Sequence, residues 1–183
     1  MKQKAHPLFL KHNIDAIPFK HADIDKWRDF RKGGVSYIDE KKGYHFYGAI
    51  DDVWVNKKEE LIVADVKSTS KKKFNWDETW AKYDYPKGYK RQLEMYQWLL
   101  RKNGFSVSNK AYLLYFNGLK YEKEFNQTLK FESFSVELEC SDNWVEEKVI
   151  QAKKQLESDT LPRGEIDCDN CRYIKKRSEA VKK

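Results

Sequence analysis

The sequence predicts an α/β fold, of the α+β kind, in which helices pack on a central mixed β-sheet. Two β-rich runs, residues 46–55 and 61–68, flank a polar turn and indicate a β-hairpin. Apolar residues at helical spacing predict a helix over residues 88–102, which Asn103 and Gly104 would end. The nearly continuous apolar run over 110–117 suits a strand in the interior of the sheet.

The N-terminal part, residues 1–34, is predicted to be helical or irregular. Pro7 and Pro18 interrupt regular structure there. A short helix over residues 22–31 would end at Gly33 and Gly34. A strand over 35–38 and a turn then lead into the hairpin, so residues 35–140 are expected to hold the sheet and the long helix.

Residues 68–88 show no clear periodicity but contain five aromatic side chains interleaved with lysines. One interpretation is a packed lid or satellite core, which the frequent burial of aromatic rings favours. The other is a mobile loop over an active face, since aromatic rings can stack the bases of a single nucleic-acid strand.

The C-terminal part begins with an alternating strand over residues 131–140. A helix within residues 141–161 would follow, with its N-terminus capped by residues 141–143 and with one apolar stripe. That stripe consists of Val145, Val149, Ala152 and Leu156. We expect a single domain over residues 1–171 and a basic tail over 172–183.

Composition and charge limit the classes of function. The chain has 183 residues, is 40% hydrophobic and carries a formal net charge of +7, of which the tail holds +5. No apolar run has the length needed to span a bilayer, and no signal-peptide core is recognisable. Three cysteines argue against a secreted disulfide framework. We therefore expect a cytoplasmic protein without membrane association, and the basic charge suits a nucleic-acid partner.

The hairpin arranges two acidic residues and a lysine. If residues 57–59 form the loop, Asn56 faces Glu60, and counting back places Asp51 opposite Asp65. Lys67 projects from the same side of its strand as Asp65. Like charges so placed need compensation, and a hard cation such as Mg²⁺ would supply it.

This arrangement resembles the core of the PD-(D/E)XK nucleases. The run from Gly48 to Asp51 resembles the G-x-x-D element of the RecB-like branch, and Gln92 to Tyr96 supplies the Q-x-x-x-Y element that follows it there. The resemblance covers residues 48–96. By these motifs the most similar proteins are CRISPR-associated exonucleases and recombination-repair nucleases.

The resemblance implies a restriction-endonuclease-like core and Mg²⁺ or Mn²⁺ as cofactor. Asp51, Asp65 and the backbone carbonyl of Val66 would hold the metal. Lys67 would orient or deprotonate the attacking water, or offset charge on the phosphate. By the same resemblance, Gln92 and Tyr96 would contact the DNA strand or brace Lys67.

Two further sets of residues complete the predicted site. Lys90 and Arg91, at the start of the motif helix, suit contacts with a phosphate backbone. Related nucleases often have an upstream His or Glu ligand, and we select His21 for that place among several candidates. The others are His6, His12, His45 and Glu40.

Cys168 and Cys171 resemble the C-terminal cysteine pair of the members that carry an iron–sulfur cluster. Zinc and cubane sites normally need four ligands, and the only other cysteine is Cys140. We therefore expect free thiols or a partial site.

Together these features predict a metal-dependent nuclease that hydrolyses DNA phosphodiester bonds. The alternative is a nuclease-fold module that binds nucleic acid or a protein partner with little or no catalysis. RNA cleavage on the same site is a third possibility.

Overall fold

The computed structural model describes residues 6–120, 127–165 and 167–181. The chain forms two compact units, residues 1–146 and 147–183. The single domain over residues 1–171 remains a prediction. Among the described helices, none is both long enough and apolar enough to cross a bilayer.

Runs of strands are separated by helices along the chain. The helices are α1 Pro7–Lys11, α2 Ile24–Trp27, α3 Trp76–Lys82, α4 Tyr85–Lys102, α5 Val145–Leu156 and α6 Asp169–Val181. The strands are β1 Ala16–Pro18, β2 Val35–Asp39, β3 Tyr44–Gly48, β4 Asp52–Asn56, β5 Leu61–Thr69, β6 Val107–Gly118 and β7 Phe131–Glu139.

The central sheet has five strands in the order β1-β4-β5-β6-β7. The β5–β6 pair is parallel and the other pairs are antiparallel, so the sheet is mixed. Strands β2 and β3 form a separate two-stranded sheet. The predicted fold class, a mixed sheet with flanking helices, is confirmed, and it is consistent with a restriction-endonuclease-like core.

The hairpin between β4 and β5 has the predicted register. The Asn56 N–H donates to the Glu60 carbonyl at 3.1 Å, and Asp52 pairs with Ala64 further along. The expected continuous strand over residues 46–55 is wrong, however, because β3 and β4 belong to different sheets. Between them Ile50 is buried, and its N–H donates to the Trp27 carbonyl at 2.9 Å. This contact turns the chain from one sheet into the other.

Helix α4 provides much of the core on one side. Leu93, Leu99 and Leu100 are fully buried along it, as its apolar stripe predicts. The helix starts at Tyr85, three residues earlier than expected, and ends at Lys102 with Asn103 as its C-cap. A second buried cluster contains Phe9 from α1 and side chains of the central sheet. Its other members are Ile14, Ala16, Trp54, Ile62, Ala64, Tyr112 and Leu114.

The aromatic segment before α4 is more ordered than its sequence indicates. It contains α3, whose N-terminus is capped by the Asn75 side chain. Phe74 stacks on Tyr115 and Phe134, with ring centroids 4.7 and 4.8 Å apart, which agrees with the packed interpretation. Tyr83 and Tyr85 are both 41% exposed, so these two rings are not part of that packing.

Two features of the C-terminal part of the chain are not evident from its sequence. The basic tail over residues 172–183 forms most of α6 as far as Val181. The apolar stripe of α5 is buried at Val145, but Leu156 at its other end is 86% exposed. The spacing of the apolar residues therefore predicts helix α5 correctly, but it does not predict how much of the helix is buried.

Candidate active site

Asp65 is the most buried acidic residue of the candidate site. It lies on β5 in the middle of the sheet and is 1% exposed. Lys67, two residues later, forms an ion pair with Asp65 Oδ2. Apart from this ion pair, no described residue forms a hydrogen bond with that oxygen. A carboxylate buried in a central strand with one ammonium as its partner is uncommon and indicates a function.

Asp51 meets Asp65 across the hairpin, immediately before β4. Its Oδ2 accepts a hydrogen bond of 2.8 Å from the Val66 N–H, and Arg28 Nε donates to its carbonyl at 3.2 Å. Burial raises the pKa of the Asp65 carboxyl, and the nearby Asp51 carboxylate raises it further, while Lys67 opposes both effects. The structure thus brings the two carboxylates together as the register predicts.

Lys67 is held from several sides. Its side chain is 18% exposed, and Nζ donates to Gln92 Oε1 at 3.3 Å. Gln92 Nε2 in turn donates to the Tyr96 hydroxyl at 2.8 Å. Nζ also lies 4.4 Å from the centroid of the Tyr89 ring. Gln92 therefore contacts the lysine from α4 and Tyr96 contacts Gln92, while the role expected for these two residues stays a prediction.

Gly48 allows α4 to approach the hairpin closely. A Cβ atom at this position would lie 2.7 Å from Cε1 of Tyr96. Such a distance is too short for a carbon–carbon contact, so any side chain would displace the ring. The glycine of the G-x-x-D element thus lets the Tyr96 ring of α4 lie directly against the end of β3.

We expect Gly48→Ala to destabilise the protein by about 1–3 kcal/mol, because overpacking a close contact has a cost of this size. Urea unfolding measures the change. Gly88→Ala is the matched control, since its Cβ would meet nothing within 4 Å and the residue lies inside α4. This control should stabilise the protein by about 0.5–1 kcal/mol. Equal effects of the two substitutions would contradict the close approach of Tyr96 to Gly48.

The two carboxylates fit a divalent cation of the Mg²⁺ type. Such ions prefer oxygen ligands and are often bound by one or two carboxylates together with water and substrate phosphates. The buried Asp65 carboxylate is a suitable ligand, and a cation there would share Oδ2 with the Lys67 ammonium. Within the described part of the chain, no group of three or more His, Cys, Asp or Glu side chains could hold a metal. Metal binding by Asp51, Asp65 and the Val66 carbonyl stays a prediction.

Three other predicted site residues lie outside this cluster. His21 stacks on Trp27 at 4.5 Å, and its Nδ1 accepts from the Asp23 N–H, so the structure does not group it with the carboxylates. Lys90 Nζ lies 3.9 Å from Glu94, on a different face of α4 from Gln92. Arg91 is exposed one residue before Gln92 and stays a candidate for backbone contacts.

Two tyrosines of the site were missed by sequence reasoning. Tyr89 is three residues before Gln92 on the helix, and this spacing could have indicated it. Tyr115 on β6 pairs in register with Lys67, is 4% exposed, and its hydroxyl has no hydrogen-bond partner among the described residues. Burial raises the pKa of Tyr115, and Asp65 is among the nearby groups that add to this shift. The position of Tyr115 beside Lys67 depends on the register between β5 and β6, which the sequence does not reveal.

The cysteine pair lies in the C-terminal unit. Cys168 Sγ accepts a hydrogen bond of 3.3 Å from the Cys171 N–H, which lowers the pKa of Cys168. All three cysteines are free thiols, and burial raises the pKa of Cys140 to about 12. The expectation of free thiols or a partial metal site at this pair stays a prediction.

We expect the three thiols to react unequally with a chromogenic disulfide reagent at neutral pH. Cys168 and Cys171 should react quickly, and Cys140 should react only after unfolding in urea, because a buried thiol is neither accessible nor ionised. A Cys168→Ser, Cys171→Ser double variant is the control and should show no fast reaction. Three equal rates in the native protein would contradict the burial of Cys140.

The fold and site together define a class. A mixed sheet whose central hairpin brings two aspartates and a lysine together beside a helix is the core arrangement of restriction-endonuclease-like proteins. A family model described as the PD-(D/E)XK nuclease superfamily matches residues 5–175, so the chain belongs to this superfamily. No curated protein matches the chain, and no solved structure matches it.

Proposed function

We propose that the protein is a Mg²⁺- or Mn²⁺-dependent deoxyribonuclease with its active site at Asp51, Asp65 and Lys67. The observation that carries this proposal is the buried Asp65 carboxylate with a second carboxylate and an ammonium beside it. Members of the superfamily are generally nucleases that use divalent metals. Nothing in the packing of the hairpin requires this concentration of charge, and charges are seldom buried in a central strand without a purpose.

Each residue has a separate task in this proposal. A bound divalent cation would polarise a phosphoryl oxygen and lower the pKa of water. Asp51 and Asp65 would hold that cation. Lys67, placed by Gln92 and Tyr96, would hold the attacking water or stabilise the charge that develops on the phosphate. Val66 and Arg28 fix Asp51 through the hydrogen bonds described above.

Sequence motifs support finer assignments within this proposal. The elements at Gly48–Asp51 and Gln92–Tyr96 favour the RecB-like branch, whose members act on DNA in CRISPR-associated or repair pathways. DNA is proposed as the substrate on the basis of this resemblance. A cytoplasmic location is proposed on the basis of the same resemblance.

The second candidate function is a binding module with little or no cleavage. One observation favours it: the Asp65 oxygen that would bind a cation already pairs with the Lys67 ammonium. In such a protein the pair would be a structural feature of the sheet. This second function predicts that the protein binds nucleic acid or a protein partner but does not carry out metal-dependent hydrolysis.

A cleavage assay separates the two. The protein is incubated with labelled single-stranded DNA, duplex DNA and RNA, each with Mn²⁺, with Mg²⁺ and with EDTA. The proposal expects metal-dependent cleavage of DNA by the wild-type protein and none by Asp65→Ala. Binding without cleavage in every metal would support the module instead, and cleavage of RNA alone would overturn the choice of substrate.

A further inference from the structure

A basic cavity of about 410 Å³ lies beyond the C-terminal end of β5. Five lysine side chains line it together with a single acidic one, Glu78. The lysines are Lys71, Lys72, Lys73, Lys82 and Lys120. Lys72 and Lys73 are exposed, and no ion pair of the described residues involves them. They also line a neighbouring cavity with Lys11, so the basic surface continues past the first cavity.

Two exposed tyrosines stand at the edge of this surface. The rings of Tyr83 and Tyr85 stack at 5.4 Å with an angle of 30° between them. Lys71 Nζ lies 5.3 Å and Lys82 Nζ 5.5 Å from the centroid of the Tyr83 ring. Both rings are 41% exposed, although large aromatic side chains gain from burial.

The tyrosines connect this surface to the candidate active site. Tyr85 contacts Tyr89 with ring centroids 5.5 Å apart, and Tyr89 lies 4.4 Å from the ammonium of Lys67. Lys71 Nζ also donates to the Tyr85 hydroxyl at 3.4 Å. A continuous row of aromatic and cationic groups therefore runs from Tyr83 to Lys67.

The segment that carries these groups is fixed to the sheet. Asn117, 1% exposed, accepts from the Lys71 N–H at 2.8 Å and donates to the Lys71 carbonyl at 3.0 Å. Phe74 is packed on β6 and β7. Because the surface is ordered before a ligand binds, little conformational entropy is lost on binding.

We propose that this surface binds single-stranded nucleic acid and leads it to Lys67. We call it the lysine–tyrosine platform, defined as Lys71, Lys72, Lys73, Lys82, Tyr83 and Tyr85. Lysines contact the phosphates of the strand, and exposed aromatic rings stack its bases without reading their sequence. In a duplex the base faces are covered by stacking, so the tyrosines select single strands. The inference rests on the proposed function and names its substrate class.

The test measures binding in EDTA, where no cleavage occurs. Fluorescence anisotropy gives the Kd for single-stranded DNA, for RNA of the same sequence, and for the DNA duplex. The Tyr83→Ala, Tyr85→Ala double variant should lose roughly fivefold or more in affinity for single strands, with duplex binding nearly unchanged. The DNA and RNA measurements show which strand the platform holds.

A second variant tests the interaction with phosphates. The Lys72→Ala, Lys73→Ala double variant should bind single strands more weakly, and the slope of log K against log salt should become shallower by about 0.7 for each phosphate that is no longer neutralised. The matched control is Lys57→Ala, Lys58→Ala in the turn that precedes β5, about 30 Å away by strand length. This control removes the same charge and should keep most of the affinity.

Two further variants serve as controls for the loss of the aromatic rings. Tyr83→Phe, Tyr85→Phe keeps the rings and should keep the affinity, which excludes a general loss of structure. Tyr47→Ala removes a tyrosine that is 52% exposed on β3 and should have no effect. Unchanged single-strand affinity in the tyrosine-to-alanine variant, or an equal loss on the duplex, would overturn the inference. Failure of the nuclease proposal is recognised separately, as binding in EDTA without cleavage in any metal.

Discussion

Asp65→Asn is expected to lower the rate of metal-dependent DNA cleavage about a thousandfold or more. The substitution keeps the size of the side chain but removes the charge that would hold a cation. Asp65 is almost completely buried, so no water-exposed group can easily replace its carboxylate. Initial rates on a labelled oligonucleotide, measured with excess Mn²⁺, give the effect. Asp51→Asn should produce a loss of similar size.

Asp52→Asn is the matched control for both variants. Asp52 is the immediate neighbour of Asp51 in the sequence, but its carboxylate binds Arg28 and accepts from Trp54 Nε1 at 2.9 Å. The Asp52 carboxylate therefore lies away from Asp65. The Asp52→Asn substitution should lower stability more than it lowers activity. Wild-type cleavage by Asp65→Asn, or an equally severe loss in Asp52→Asn, would show that the active site has been placed incorrectly.

Lys67→Ala is expected to lower the rate of cleavage by about 10²–10⁴-fold, with little change in DNA affinity measured in EDTA. The ammonium is positioned by Asp65 and Gln92, so its contribution should appear in the chemical step. Single-turnover kinetics separate this step from binding. A loss of affinity equal to the loss of rate would instead show that Lys67 is an ordinary phosphate-binding residue.

Two further variants support this measurement. Removing the Lys67 side chain leaves the buried Asp65 carboxylate without its ammonium partner. Lys67→Gln keeps most of the side chain and is therefore measured beside Lys67→Ala. Gln92→Ala should reduce the rate less than Lys67→Ala, because Lys67 still pairs with Asp65 when the amide is gone. Gln92 is a positioning residue, and a change in the pH profile of the variant, rather than in DNA affinity, is the expected sign of that role.

The sequence was sufficient for the register of the hairpin and for helix α4. Asn56 and Glu60 mark the ends of a short polar turn, and side chains alternate along strands, so the meeting of Asp51 with Asp65 follows from counting. Leu93 and Leu100 identify the buried face of α4 because their spacing matches a helical turn. These features depend on local patterns, which a single sequence contains.

Other features depend on contacts between distant residues. The break between β3 and β4 results from Ile50 binding Trp27, and the place of Tyr115 results from the parallel pairing of β5 with β6. Helix α3 was missed because it has only seven residues, which is too short for a helical period to be recognised from the sequence. His21 was selected by family resemblance alone, and its ring packs among aromatic side chains instead.

The central claim is that the carboxylates of Asp51 and Asp65 share one divalent cation. Crystals soaked in Mn²⁺ test it directly, since the anomalous signal of the metal identifies its position without reference to activity. We expect one strong anomalous peak between the two carboxylates, and its loss in Asp65→Asn crystals. Crystals that show Asp65 paired only with Lys67, and no metal at the hairpin, would contradict the claim.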